Sequence, residues 1–242
     1  MTTKPSALIT GGTSGLGLGI AEKLSNDYQL VNLSRSKPSD NIAGLFECTI
    51  ELDLLGDESS ITASLRGLKG VVKPFSAFIA CSGIQKIAPI TSIRESDLQD
   101  LFRLNVFSNV FLIKNLLRLG MIADGASLVL MSSISADKPD IGLSSYSMTK
   151  AAIDNFVKVA ALELADRGIR VNSIRPGMIE TPMILKERAY TPSFIEQEMV
   201  KYKLGPGKPD DVADLVKFLV SDSSRWITGQ NMTLDGGRTL VS

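Results

Sequence analysis

Histidine is missing from all 242 positions. That absence excludes the Ser-His-Asp hydrolases, histidine-ligated zinc or iron, and any imidazole acid or base. Only two cysteines occur, Cys48 and Cys81, both in or beside apolar β-rich runs. They read as buried, inert thiols and not as a disulfide or a nucleophile. An excess of either charge is also missing: 26 basic and 26 acidic residues balance to zero, so nothing argues for a nucleic-acid or membrane partner. No apolar run is long enough to span a bilayer. Met1-Thr2-Thr3-Lys4-Pro5 enters the first predicted strand without an apolar signal segment, and the expectation is a cytoplasmic protein. No repeat, low-complexity tract or charge block divides the chain.

What is present is ample apolar material. Hydrophobic residues make up 44% of the chain, enough for one compact domain spanning residues 1–242. Apolar β-rich runs near 6–10, 29–34, 48–52, 76–81, 127–132, 170–174 and 231–234 alternate with helical periodicity. That order predicts an α/β fold with a parallel sheet covered by helices on both faces. The two longest predicted helices run from Leu98 to Leu119 and from Tyr146 to Asp166. In such sheets ligands bind beyond the carboxyl ends of the strands.

Two local patterns carry chemistry. Tyr146-Ser147-Met148-Thr149-Lys150 opens an apolar helical run, and positions i and i+4 share a helix face. A lysine ammonium beside a phenol favours phenolate. At an effective dielectric near 20, charges about 4 Å apart interact by roughly 4 kcal/mol, enough to lower a phenol pKa of about 10 by about 3 units. Near the N-terminus, Ala7-Leu8-Ile9 runs into Thr10-Gly11-Gly12-Thr13-Ser14-Gly15-Leu16-Gly17 and then a helical segment. Glycines there allow positive φ and close approach of a pyrophosphate, and the helix start favours negative charge. The spacing is Gly-x-x-x-Gly-x-Gly, a variant of the dinucleotide fingerprint.

Together these motifs resemble the classical short-chain dehydrogenases/reductases, including 3-oxoacyl-(acyl-carrier-protein) reductases, over nearly the whole chain. The resemblance rests on Thr10 to Gly17, on Asn105, Ser133, Tyr146 and Lys150, and on Pro176-Gly177 with Thr181. A further match covers Ile227-Thr228-Gly229-Gln230 with Leu234-Asp235-Gly236-Gly237. One motif departs: Ala80-Cys81-Ser82-Gly83 stands where the family has Asn-Asn-Ala-Gly, retaining only Gly83.

The resemblance implies a single-domain Rossmann fold with a doubly wound seven-stranded parallel sheet. It also implies hydride transfer between a nicotinamide and a carbonyl carbon, with Tyr146 as proton donor. Lys150 would lower the phenol pKa and hold the nicotinamide ribose. Ser133 would stabilise the substrate oxygen, and Asn105 would hold a relay water, unless it is structural. Ser133 lies thirteen residues before Tyr146, the family spacing, which leaves Ser132 to satisfy a strand-end backbone group. Cofactor contacts are expected from Gly11, Thr13, Ser14, Gly15, Leu16 and Gly17 in the first loop, and from Asp53 and Leu54 after the third strand. Gly83, Asn105, Tyr146, Lys150, Pro176, Gly177, Ile179 and Thr181 complete the set. Asp53 would touch the adenine amino group; a turn cap is its alternative.

Cofactor choice is read at Leu30-Val31-Asn32-Leu33-Ser34-Arg35-Ser36, which lacks the acidic residue an NAD enzyme places there. Ser34 and Arg35 suit a 2′-phosphate, which predicts preference for NADP(H) over NAD(H); an ordinary solvated arginine is the alternative. Met183 to Pro206 reads as a lid over the substrate or as short packed helices. The expected partner is a small carbonyl or alcohol, free or carrier-bound. An NAD-dependent alcohol or sugar dehydrogenase and a catalytically silent nucleotide-binding protein are the alternatives. The resemblance also implies a homodimer or homotetramer built through the two long helices.

Overall fold

The computed structural model describes residues 4–182, 184 and 192–241. Met1 to Thr3 and the expected lid residues Met183, Leu185, Lys186, Arg188 and Tyr190 lie outside the described residues. Seven strands form one parallel sheet: β1 (Ser6–Thr10), β2 (Gln29–Ser34), β3 (Cys48–Glu51), β4 (Phe75–Ala80), β5 (Ile122–Met131), β6 (Arg170–Pro176) and β7 (Asn231–Leu234). Their spatial order is β3-β2-β1-β4-β5-β6-β7. This is the expected doubly wound fold, and the order reverses between β1 and β4, where a crevice opens at the strand ends.

Strand alternation divides the core. Ala7, Ile9, Ala77, Ile79 and Val129 face α1 (Gly15–Leu24) and a late helix at Pro209–Val220, whereas Leu8, Phe78, Leu128 and Leu130 face the opposite layer. That layer holds α3 (Glu58–Arg66), α5 (Ser108–Arg118) and α6 (Ser144–Leu164), while α2 (Asp40–Ala43) is a single turn with no buried residue. Because both faces are covered, β1 is buried at all five positions, with Ala7-Leu8-Ile9 an apolar run at its centre. Each fully buried leucine or phenylalanine contributes about 1.5–3 kcal/mol.

Two boundaries differ most from expectation. β5 starts five residues before the predicted 127, because the exposed Asp124-Gly125 breaks the apolar pattern that continues beyond it. The helix expected from Leu98 to Leu119 is α4 (Glu95–Phe102), a π-helical turn (Arg103–Phe107) and α5 in succession. Buried Asn105 lies in that turn, bonded to a distant loop, and such turns inside helices recur at functional sites. Of the lid, the described part comprises α7 (Pro192–Met199) and residues 200–206. It is anchored where Met178 N donates to the Tyr202 hydroxyl (2.8 Å). Helix α8 (Pro209–Val220) starts on a proline at its first turn and packs on α1 so closely that a Cβ on Gly19 would come within 2.8 Å of Pro209. Among the described residues no helix is long and apolar enough to cross a membrane.

Candidate active site

Beyond the carboxyl ends of the strands lies a cleft of about 520 Å3, within the range of small-molecule and cofactor sites. Every residue expected from the sequence to take part in catalysis or to contact the cofactor lines it except Asn105. At one end the loop after β1 wraps under the start of α1. Gly11 and Gly15 adopt positive φ (69° and 54°), and a Cβ on Gly17 would stand 2.1 Å from the Gly11 carbonyl oxygen. The helix begins without a side-chain cap on its first amides and without an acid in its first turn. Free N–H groups and the positive end of the helix dipole therefore face the cleft, which fits the phosphates of a dinucleotide.

Two residues outside the expected cofactor contacts shape this loop. Asn32, fully buried in β2, accepts from Gly12 N through Oδ1 (3.0 Å) and donates to Ser34 Oγ (2.9 Å). Its only signal is a lone amide inside an apolar strand. Thr10 Oγ1 accepts from both Cys81 N and Ser82 N (3.0 Å each). It thereby buttresses the segment in which Ala80-Cys81-Ser82-Gly83 replaces the family's usual sequence. Cys81 lines the cleft, its thiol pushed up to about 12 by burial, and burial raises Cys48 as well; neither is a nucleophile at neutral pH.

At the ends of β2 and β3, Arg35 is exposed and lines the cleft. Ser34 lines the cleft as well; its hydroxyl is buried and donates to Ser36 O (2.7 Å). Asp53 accepts from Leu55 N through Oδ1 (3.0 Å), the turn-capping geometry, and its carboxylate also borders the cleft beside Leu54.

The central group lies at the middle of the cleft. Ser133 follows β5, its Oγ accepting from Ser135 N (3.1 Å). Tyr146 lies in the first turn of α6, and the Lys150 ammonium sits 5.4 Å from the centre of its ring. Lys150 is buried and donates to Met131 O (2.8 Å). Desolvation lowers its pKa to about 8, with the negative charge of Asp154 acting against that shift. Ser132 does not cap a strand end through its hydroxyl as expected; its Oγ donates to the Lys150 carbonyl oxygen (3.3 Å), holding the helix against the strand.

Asn105 stands behind these residues. Its Oδ1 accepts from Ile84 N (2.9 Å), and its Nδ2 donates to Ile84 O (2.9 Å) and Thr149 Oγ1 (3.1 Å). Thr149 in turn donates to Tyr146 O (2.7 Å). The amide thus clamps the Gly83 loop to α6, and Gly83 fits between: a Cβ there would lie 3.2 Å from Asn105 Oδ1 and 3.7 Å from Lys150 Nζ.

Across the cleft, Pro176, Gly177, Ile179 and Thr181 follow β6. Gly177 leaves no room for a side chain, since a Cβ would lie 2.6 Å from the Tyr202 ring, and Thr181 faces the glycine loop at 3.8 Å from a Cβ built on Gly15. The remaining end is lined by Gln85, Ile87, Asp140, Ile141 and Glu198, none of them marked by a motif. Glu198 accepts from buried Arg238 (3.0 Å) and pairs with Lys201; these donors hold its carboxyl below the usual range although burial opposes them.

Comparison with known proteins places this geometry in context. The family model described as enoyl-(acyl carrier protein) reductase matches residues 11–239. The chain is similar to L-2,3-butanediol dehydrogenase of Corynebacterium glutamicum, at 31% identity over 96% of this chain and 97% of that protein. It is likewise similar to 3-oxoacyl-(acyl-carrier-protein) reductase of Aquifex aeolicus, at 31% identity over 96% of each. Among solved structures, a short chain dehydrogenase family protein from Francisella tularensis superposes with a TM-score of 0.87 at 29% identity, over 98% of this chain and 100% of that one. The structure of ElxO with NADP bound superposes equally well, TM-score 0.87, at 26% identity over 98% and 100%.

Proposed function

Because the chain belongs to the short-chain dehydrogenase/reductase family, we propose that it is an NADPH-dependent oxidoreductase reducing a ketone or 3-oxoacyl thioester to a secondary alcohol, with Tyr146 as proton donor. The observation that carries this reading is the placement of Ser133, Tyr146 and Lys150 in the same cleft as the uncapped start of α1. The activities named for the two curated relatives, on a diol and on a 3-oxoacyl group, both interconvert a ketone and a secondary alcohol.

The glycine loop and the first amides of α1 would hold the pyrophosphate, and Arg35 the 2′-phosphate of NADPH. The cofactor, when bound, supplies the hydride. Ser133 Oγ, oriented by the amide of Ser135, keeps its proton for the substrate oxygen and polarises the carbonyl. Tyr146 then gives its proton to that oxygen as negative charge develops there. The Lys150 ammonium, 5.4 Å from the phenol ring, stabilises the phenolate left behind. Asn105 keeps Tyr146 and Lys150 in register with the Gly83 loop through Thr149. We extend the proposal to a homodimer or homotetramer, supported by exposed Phe107 next to α5 and by exposed Val159 and Leu162 on α6.

Replacing Tyr146 with Phe tests the assignment. It should lower kcat by about 10²–10⁴-fold, the usual range for a general acid, while NADPH affinity measured by fluorescence titration stays near that of the parent. Turnover retained in Tyr146→Phe would overturn the reading.

A further inference from the structure

Leu234-Asp235-Gly236-Gly237 runs directly into a charged residue that has no part in the proposed reaction, Arg238. Gly236 and Gly237 turn the chain back after β7 with positive φ (55° and 84°). Asp235 Oδ1 accepts from Gly237 N (3.0 Å) and its Oδ2 from Thr239 N (2.7 Å), which sets up the short helical turn Arg238–Leu240. That turn sends the guanidinium inward. Arg238 is 4% exposed, a state arginine seldom reaches unless it is paired.

Its partners belong to two separate pieces of chain. Nε and Nη2 both donate to Glu198 Oε2 (3.2 and 3.0 Å), near the end of α7. The same Nη2 lies 3.5 Å from Asp140 Oδ1, in the segment between Ser133 and Tyr146. Glu198 and Asp140 both line the remaining end of the cleft with Ile87 and Ile141, whereas Arg238 stands behind them and does not line it. Two further ties run alongside. Leu204 N donates to Gly236 O (3.1 Å), and Lys138 Nζ donates to Thr239 O (3.3 Å) and to Val241 O. Each of these joins the C-terminal segment to one wall of the cleft; the buried fork reaches both.

A buried ion pair is a weak stabiliser, because desolvation offsets its attraction. Geometry gives this one another use. Two carboxylate oxygens meet at a single nitrogen, so without the cation two like charges would face each other and the walls that carry them would part. A planar guanidinium holds two acids at fixed angles, which a lysine point charge does not.

We propose that Arg238 is a positioning residue for the carbonyl substrate, joining α7 to the segment between Ser133 and Tyr146 so that this end of the cleft keeps its width. The consequence for substrate rests on the proposed reaction. The joining of the two walls rests on the contacts alone and needs no substrate.

The experiment compares Arg238→Met with the parent by backbone hydrogen exchange and by kinetics at saturating NADPH. Exchange should rise in residues 198–206 and 137–143 together, with the glycine loop at 11–17 unchanged. The carbonyl KM should rise by about tenfold while kcat stays within about twofold, which marks lost binding and not lost chemistry. NADPH affinity should match that of the parent. Arg238→Lys, whose ammonium lacks the fork needed to hold both carboxylates, should recover only part of the KM. Exchange that rises in one wall or in neither, an unchanged KM, or a fall in kcat as large as the rise in KM would overturn the proposal and leave Arg238 as an anchor of the C-terminal turn. If Arg238→Met does not fold, Arg238→Lys decides, and parent-like exchange in both walls with a parent-like KM overturns it. Looser walls in Arg238→Met with no carbonyl reduction by the parent would instead overturn the proposed reaction while sparing the joining of the walls.

Discussion

Arg35 stands exposed at the end of β2 and lines the cleft. On the proposed reading, with Ser34 donating to Ser36 O, the Arg35 guanidinium is the group that would select a 2′-phosphate. Arg35→Ser should therefore weaken NADPH by about 10–100-fold, the worth of hydrogen bonds to a charged group, and leave NADH nearly unchanged. Initial rates with both cofactors read the difference, and equal losses for the two would show that Arg35 does not read the 2′-phosphate. The same residue shows what can be read from sequence alone. A cation at the end of a predicted strand is a local fact, visible in Leu33-Ser34-Arg35. Whether Ser34 helps it depends on a hydrogen bond to a neighbouring carbonyl, which turn geometry decides and composition does not.

The element that most restricts substitution is the turn from β1 into α1. A Cβ on Gly17 would lie 2.1 Å from the Gly11 carbonyl, so the helix would have to move off the strand. Gly17→Ala should cost about 1–3 kcal/mol of stability by overpacking and weaken NADPH by about tenfold or more through the displaced amides. Gly44 serves as the control: it sits at φ −66° with nothing within 4 Å of an added Cβ, and Gly44→Ala should be neutral or stabilise by about 0.4–1 kcal/mol. Thermal melts of the two variants check the contrast, and equal effects would mean that the turn tolerates a side chain. This loop and the Tyr146–Lys150 pair were legible because their chemistry is a matter of spacing within a few residues. The π-helical turn at Asn105 was not, since its reason is a pair of bonds to Ile84, 21 residues away. Nor was Thr10, whose hydroxyl serves amides 71 and 72 residues on.

At the scale of the whole molecule, buried titratable groups set stability and activity against each other in alkaline solution. The pKa of Lys150 is lowered to about 8 in the folded protein against 10.5 when free. Above about pH 8 the folded chain gives up this proton while the unfolded chain still holds it, so the unfolded state binds more protons and stability rises with pH. Cys81 acts oppositely. Its thiol is held at about 12 against 9.0, so from pH 9 upward the unfolded chain loses a proton that the folded chain keeps, and stability falls; Cys48, raised likewise, and Tyr202, at about 12 against 10.0, add the same sign. The melting temperature should therefore climb by a few degrees between about pH 8 and 9, roughly 1 kcal/mol of imbalance per unit, and turn down beyond. On the proposed mechanism, carbonyl reduction should decline over that same interval, because the ammonium that would support the Tyr146 phenolate is being lost. Calorimetry across the range checks the shape, with Lys150→Met expected to abolish the climb and Cys81→Ala to delay the fall. A parent curve that is flat from pH 8 to 9, or a Lys150→Met curve that still rises, would mean that the folded protein holds this amine no differently from the unfolded chain, and the electrostatic coupling between Lys150 and Tyr146 would lose its physical basis.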